Sequence, residues 1–196
     1  MTGEVLLIRP RRFEDDRGWF SETYNERNFR QAGLESRFVQ DNHSLSREKY
    51  TLRGLHFQRP PFAQSKLVRC SKGRIFDVTV DIRIGSPSFG GWISTELSAE
   101  GGEQLFVPAG FLHGFLTLTP DTEIIYKVSD FYDGASDAGV RWDDPMIAVN
   151  WSLPEGVPPT LSAKDRALPL LAAIDSPFMF QPGDVPLTEA PRELRP

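Results

Sequence analysis

From residue 38 onward, apolar and polar positions alternate mostly with a period of two, the pattern of strands rather than helices. The clearest run is IFDVTVDIRI. Phe76, Val78, Val80, Ile82 and Ile84 share one face, and Asp77, Thr79, Asp81 and Arg83 share the other. KLVRC precedes it, and the SKG between them reads as a tight turn in which Gly73 is free to take a positive φ. Further strands are predicted at WISTEL, QLFVP, HGFLTL and TEIIYKVS, with Gly-Ser-Pro, Pro-Ala-Gly and Thr-Pro-Asp marking turns between them. Short, closely spaced strands without long intervening helices predict an antiparallel sandwich or barrel. No internal repeat is visible.

Helical periodicity is confined to two short stretches. Near the start, Asn25 can cap, Glu26 suits a first turn, Phe29 supplies an apolar contact and Gly33 closes the segment. Towards the end, LSAKDRALPLLAAI predicts a second helix. Five prolines then fall between Pro177 and Pro196, so the last twenty or so residues read as an extended arm or a disordered tail. The expected organisation is one β domain over residues 1–170 and a proline-rich C-terminal tail over 171–196.

Composition narrows the function classes. The 196 residues carry 22 Lys and Arg against 27 Asp and Glu, a net charge of −5 that argues against a general binder of nucleic acid or anionic membrane. Cys70 is the single cysteine, so no intramolecular disulfide and no cysteine-built zinc site can form within one chain. That fits a reducing cytoplasm. The apolar run in MTGEVLLIRP is too short for a signal peptide or a membrane span. With 16 Gly, 16 Pro, 14 Phe and 4 Trp, the chain reads as a turn-rich β protein with an aromatic core.

Candidate chemistry begins with three histidines, His43, His56 and His113. None forms an HxH or HxxxH pair, so no metal site is predicted from spacing. His56 lies in LRGLHFQ and His113 in PAGFLHGF, each beside glycine and aromatic residues. Either is open to two readings, a packed strand histidine or a catalyst. Arg53 and Lys66 lie near the first in sequence. In a regular strand Arg53 and His56 point to opposite faces, so sharing a pocket requires a bulge, with Gly54 the natural place. Tyr126 falls on the Thr122, Ile124, Val128 face of its strand, either as a buried tyrosine with a satisfied hydroxyl or as a proton donor in a pocket. Ser162 and Asp165 have the spacing of a capping box, a structural role that leaves a second one open. FEDDRGWFSE brings Arg17, Phe20 and Glu22 together around an Asp16-Arg17-Gly18 turn, and WDDP reads as a turn.

Taken in order and spacing, FEDDRGWFSE, FVQDNHSLS, LRGLHFQ, KLVRCSKGRIFDVTVDIR, PAGFLHGF, YKVSDFY, VRWDDP and LSAKD resemble the dTDP-4-dehydrorhamnose 3,5-epimerase family, from about residue 5 to about residue 170. Each motif alone is weak; the ordered set is specific. The resemblance implies a mainly β, cupin-like antiparallel sandwich or jelly roll with short helices at the two ends. It implies a cytoplasmic homodimer, without a metal or other cofactor. The implied reaction is inversion of dTDP-4-keto-6-deoxyglucose at C3 and C5, on the route to dTDP-rhamnose for cell-surface polysaccharide.

By the same resemblance His56 matches the general base, Asp165 the carboxylate paired with it, Tyr126 the acid on the opposite sugar face, and Lys66 the lysine near the C4 oxygen. Arg17, Glu22, Gln40, Asn42, Arg53, His113 and Lys164 match substrate-contacting positions, and Phe20 and Tyr132 match aromatic residues beside the nucleotide. The family's N-terminal strand resembles an exchanged arm, so Arg17 and Glu22 are expected to serve the neighbouring subunit. One position departs: Asp137 stands where relatives usually carry Glu, one methylene shorter at the nucleotide end.

The implied chemistry suits these residue types. A C4 ketone acidifies both C3–H and C5–H through a shared enolate. Inversion requires a base on one face and an acid on the other, since a catalyst on a single face restores the starting isomer. Imidazole has a suitable pKa for the first task. Two other classes are set against this one: an epimerase acting at one carbon or on another nucleotide sugar, and a cupin that either binds sugars without catalysis or uses a metal.

Overall fold

The computed structural model describes residues 3–196; Met1 and Thr2, at the head of the N-terminal segment read above, lie outside the described residues. Two sheets face each other. One has six strands in the order β13 (Arg192–Leu194), β1 (Leu6–Ile8), β9 (Gln104–Val107), β6 (Lys66–Lys72), β11 (Thr122–Val128) and β4 (Gln40–Ser46). The other has five, in the order β12 (Asp137–Gly139), β5 (Leu52–Gln58), β10 (Phe111–Thr117), β7 (Arg74–Asp81) and β8 (Trp92–Ser98). A separate hairpin joins β2 (Arg12–Asp15) to β3 (Gly18–Ser21). The β1–β13 pair is parallel and the other strand pairs are antiparallel. This is the expected antiparallel, cupin-like β fold.

The five-stranded sheet is buried on both sides. On β7, Val78 and Val80 face away from the other sheet and pack with Val140, Ile147, Trp151 and Leu171. On the opposite face of the strand, Ile75 packs between the sheets with Val68, Val107, Ile124 and Phe115. Asp77, Thr79 and Asp81 share that inward face and are fully buried. The chain after β12 thus supplies an outer layer, pinned by Asp144, whose carboxylate accepts from the backbone N–H groups of Met146, Ile147 and Leu171. Gly73 takes φ +81° in the SKG turn, which carries the chain from one sheet to the other instead of pairing β6 with β7.

The first helix forms where its signals lie. α1 (Glu26–Gln31) is capped by Asn25, whose side chain accepts from the N–H groups of Arg27 and Asn28. Phe29 is buried against Tyr24, and Gly33 ends the segment at φ +95°. The second predicted helix is corrected: over 161–174 only α2 (Ala163–Arg166) and a single 3₁₀ turn at Leu171–Ala173 form. Pro169 has no N–H to donate and disfavours helical geometry at Leu168, which ends the helix.

The last residues run as an extended arm across one end of the sandwich. Ile84 pairs with the segment around Met179, Arg83 donates to the carbonyl of Val185, and β13 closes the β1 edge of the six-stranded sheet. Arg83 is itself held by a buried bidentate bridge to Asp81, with Nη2 to Oδ2 at 2.7 Å.

Candidate active site

Between the sheets lies a cavity of about 530 Å³, lined among others by Arg53, His56, Lys66, His113, Tyr126, Lys164 and Asp165. A second cavity of about 260 Å³ shares His56, Lys66, Tyr126 and Lys164 and continues past Gln40, Asn42, Tyr132 and Asp137. Eleven of the fourteen residues singled out from the sequence therefore border one or the other.

The bulge required by Arg53 and His56 is present. β10 pairs His113 with His56 but Phe115 with Arg53, so three steps on β5 oppose two on β10. Gly54 lies within this irregularity at φ +127°, and a Cβ there would come within 2.6 Å of the Gly114 backbone. Only glycine suits both demands. The bulge brings Arg53 and His56 to the same cavity, and Arg53 is braced there by bonds to Ser46 Oγ and the Leu45 carbonyl.

His56 Nε2 lies 2.6 Å from Asp165 Oδ1, a contact between β5 and α2 across 109 residues of sequence. The capping box is real, and it does a second thing. Ser162 Oγ accepts from the Asp165 N–H at 3.0 Å and donates to Asp165 Oδ2 at 2.9 Å, so the cap orients the carboxylate that meets His56. Burial pushes the Asp165 carboxyl up, but the hydrogen bond and charge of His56, with Ser162 and Lys164, hold it below the ordinary range.

Tyr126 and Lys66 come from the six-stranded sheet, whereas His56 and His113 come from the five-stranded one. The imidazole of His56 and the phenol of Tyr126 thus enter the cavity from opposite walls. Burial raises the Tyr126 hydroxyl, keeping it protonated. Lys66 lies with Nζ 3.5 Å from the His56 carbonyl, and burial lowers it to about 8, against the opposing pull of Asp137 and Asp77. His113 Nε2 is 2.9 Å from Asp77 Oδ2 on β7.

At the mouth of the second cavity, Asp137 Oδ2 accepts from Lys164 Nζ and from the Tyr132 hydroxyl, the latter at 3.1 Å. Gln40 Oε1 accepts from the Tyr132 N–H and Gln40 Nε2 donates to Asn42. The shorter side chain of Asp137 still reaches both partners.

Arg17, Phe20 and Glu22 border neither cavity. They sit on or just after the β2–β3 hairpin, where Arg17 pairs with Asp15 at 2.6 Å, Phe20 is 69% exposed and Glu22 accepts from Asn28. His43 pairs with Glu123 at 3.0 Å and borders neither cavity. Among the described residues no group of three or more His, Cys, Asp or Glu is set to hold a metal ion, and no helix is long and apolar enough to cross a membrane. Asp77 and Ser162's second bond escaped the sequence reading of the site. The polar face of IFDVTVDIRI was the available signal for Asp77.

A family model described as dTDP-4-dehydrorhamnose 3,5-epimerase matches residues 2–173. The chain is 53% identical to the dTDP-4-dehydrorhamnose 3,5-epimerase of Sinorhizobium fredii over 177 residues, 90% of each protein. The crystal structure of the Bacillus anthracis dTDP-4-dehydrorhamnose 3,5-epimerase, with TDP and PPi bound, superposes with a TM-score of 0.81 at 49% identity, covering 84% of this chain and 93% of that one. The dTDP-6-deoxy-D-glucose-3,5-epimerase of Legionella pneumophila, in complex with dTDP-4-keto-L-rhamnose, gives 0.83 at 42% identity, covering 89% and 93%. With the ordered motifs, the double sheet and the cavity between them, these likenesses make the chain a member of the dTDP-4-dehydrorhamnose 3,5-epimerase family.

Proposed function

We propose that this chain inverts C3 and C5 of dTDP-4-keto-6-deoxyglucose to give dTDP-4-keto-rhamnose. The observation that carries the mechanism is the entry of His56 and Tyr126 into one cavity from opposing sheets, with Lys66 lining the same cavity beside the His56 carbonyl. His56 takes the proton from the carbon beside the ketone, and the electron pair moves onto the C4 oxygen as an enolate. Asp165 holds the imidazole and stabilises the imidazolium. Tyr126 returns a proton to the opposite face, and the two groups then exchange protons with solvent. Hydrogen and electrons balance without an oxidant. Lys66 faces the enolate oxygen, where such an oriented charge is worth about 3–4 kcal/mol at the barrier.

Arg53 and Lys164 supply positive charge for the diphosphate, which explains how a chain of net charge −5 binds a nucleotide. His113, Gln40, Asn42, Tyr132 and Asp137 complete the substrate contacts. Arg17, Phe20 and Glu22 act in the neighbouring subunit of a cytoplasmic homodimer by exchange of the N-terminal arm. The solvent-facing aromatic residues of the hairpin, Phe13, Trp19 and Phe20, support that reading.

Incubation in deuterated water, followed by NMR of the 4-keto sugar, tests the reaction. Label and inversion at both C3 and C5 are expected; label at one carbon alone identifies a single-site epimerase, and none identifies a binding protein. Arm exchange is tested by mixing two inactive variants, Arg17→Ala and His56→Ala, after joint refolding. Recovered activity of up to about a quarter of wild type is the statistical expectation for mixed sites in exchanged dimers, and no recovery refutes the exchange.

A further inference from the structure

Asp77 does not itself line this cavity but bonds His113, which does, and the proposed mechanism gives it no task. Its side chain is fully buried on the inward face of β7. Among the described residues His113 is the only hydrogen-bond donor to it, with Nε2 at 3.0 and 2.9 Å from the two oxygens. Thr79, the next residue along that face and directly opposite His113 in register, is equally buried, and its hydroxyl bonds to nothing. A carboxylate this deep with so few donors is costly to keep ionised, and burial does raise it. It adds little to the fold that an amide or an apolar side chain would not. Its charge is directed at two groups, His113 and Lys66, both of which line the cavity.

We propose that Asp77 is a positioning residue for the epimerisation: its buried carboxylate holds His113 by Nε2 and keeps Lys66 cationic beside the ketone oxygen of the sugar. This rests on the reading of the reaction given above. Lys66 needs such support because burial drives it towards the neutral amine. Two opposing charges act on it. Asp137 borders the second cavity, already engaged with Lys164 and Tyr132, while Asp77 is fully buried on β7 against His113. Lys164 on α2 opposes them both. His56 and Arg53 on β5, Tyr126 on β11 and Asp165 on α2 are the remaining ionisable neighbours around the cavity. Once substrate with its diphosphate occupies the mouth, Asp77 remains the counter-charge that no ligand displaces.

The test is Asp77→Asn, which can still accept from His113. Two readouts are taken: the basic limb of the pH profile of kcat/KM, and the pH dependence of carbamylation of Lys66 by cyanate in the free protein, followed by peptide mass spectrometry. Both midpoints are expected to fall by on the order of one pH unit, as for loss of a nearby opposite charge. Activity at pH 8 is expected to fall about fivefold, as the cationic fraction of Lys66 drops with its midpoint from about 8, with no loss of Tm. Unmoved midpoints in a folded variant, or a lower Tm without any shift, overturn the proposal. The carbamylation readout does not depend on the reaction, so absence of epimerase activity in wild type removes the proposed function while still measuring the coupling. If Asp77→Asn does not fold, Lys66→Met supplies the reciprocal measurement. Coupled charges shift each other, so the Asp77 carboxyl, followed by carbon NMR, must titrate at higher pH in that variant. An unmoved titration overturns the proposal.

Discussion

His56–Asp165 and His113–Asp77 are the same chemical pair set at two depths of one cavity. The first spans β5 and α2 with a 2.6 Å contact, and the His56 side chain keeps 27% of its exposure. The second spans β10 and β7 with a 2.9 Å contact, and His113 keeps only 9% while Asp77 keeps none. Their carboxyls shift in opposite directions: Asp165 falls below the ordinary range, and Asp77 rises above it. Both are penalised by burial. His56, Ser162 and Lys164 compensate Asp165, whereas Asp77 has only His113 and the charge of Lys66. A histidine that must shed and regain a proton every turnover needs contact with water, and the outer pair keeps more of it.

The difference breaks most sharply at His56. His56→Ala is expected to lower kcat by about 10³–10⁴-fold, the range for loss of a general base, and to abolish deuterium exchange at C3 and C5. Wild-type exchange in that variant would falsify the assignment. Next comes Asp165→Asn, which keeps the shape of the outer pair but removes its charge and disturbs the tautomer. A loss of about 10²–10³-fold in kcat/KM is expected, while Asp77→Asn is expected to cost far less; equal losses would erase the distinction between the pairs. Tyr126→Phe tests the opposite wall. Inversion should drop by about 10²-fold while solvent exchange of the substrate protons persists, so the ratio of exchange to inversion rises. A fall of both in step would assign the tyrosine to binding.

The smallest effects are on stability, and their signs are opposed. Asp165 titrates below its unfolded value, so its stabilisation is complete above the ordinary carboxylate range and is lost as pH falls through the lowered value. Asp165→Asn is expected to cost about 1 kcal/mol near pH 7, or roughly 2–4 °C in Tm, with wild type and variant converging on acidification. Asp77 titrates above its unfolded value, so its cost to the fold appears as pH rises through the ordinary carboxylate range and is complete above the raised value. Removal of the charge at neutral pH is therefore expected to leave Tm level or higher. Thermal melts across pH 4–8 on the two variants check both signs.

Local elements were readable because their causes are local. The Asn25 cap and the Gly33 stop frame α1, and Ser162 with Asp165 frame α2, since a cap needs only the next three residues. Arg53 and His56 demanded a bulge from their parity alone, and Gly54 supplies it. The order of the motifs carried the family. The apolar spacing of LSAKDRALPLLAAI reads as a helix, but Pro169 interrupts it and helical geometry stops at Arg166. The C-terminal arm was open between an extended and a disordered reading because its partners, Ile84, Arg83 and β1, lie about 95 to 190 positions away.

What the sequence determined unaided was periodicity, capping, turn positions and the identity of the groups able to move a proton. The fold alone decided which face of β7 looks inward, since a period of two separates the faces without naming the one that meets the other sheet. It also decided that Asp165 and Asp77 would differ. A side chain's ionisation is set by the water and charges around it, and those come from strands and turns that are distant along the chain and adjacent only once it has closed on itself.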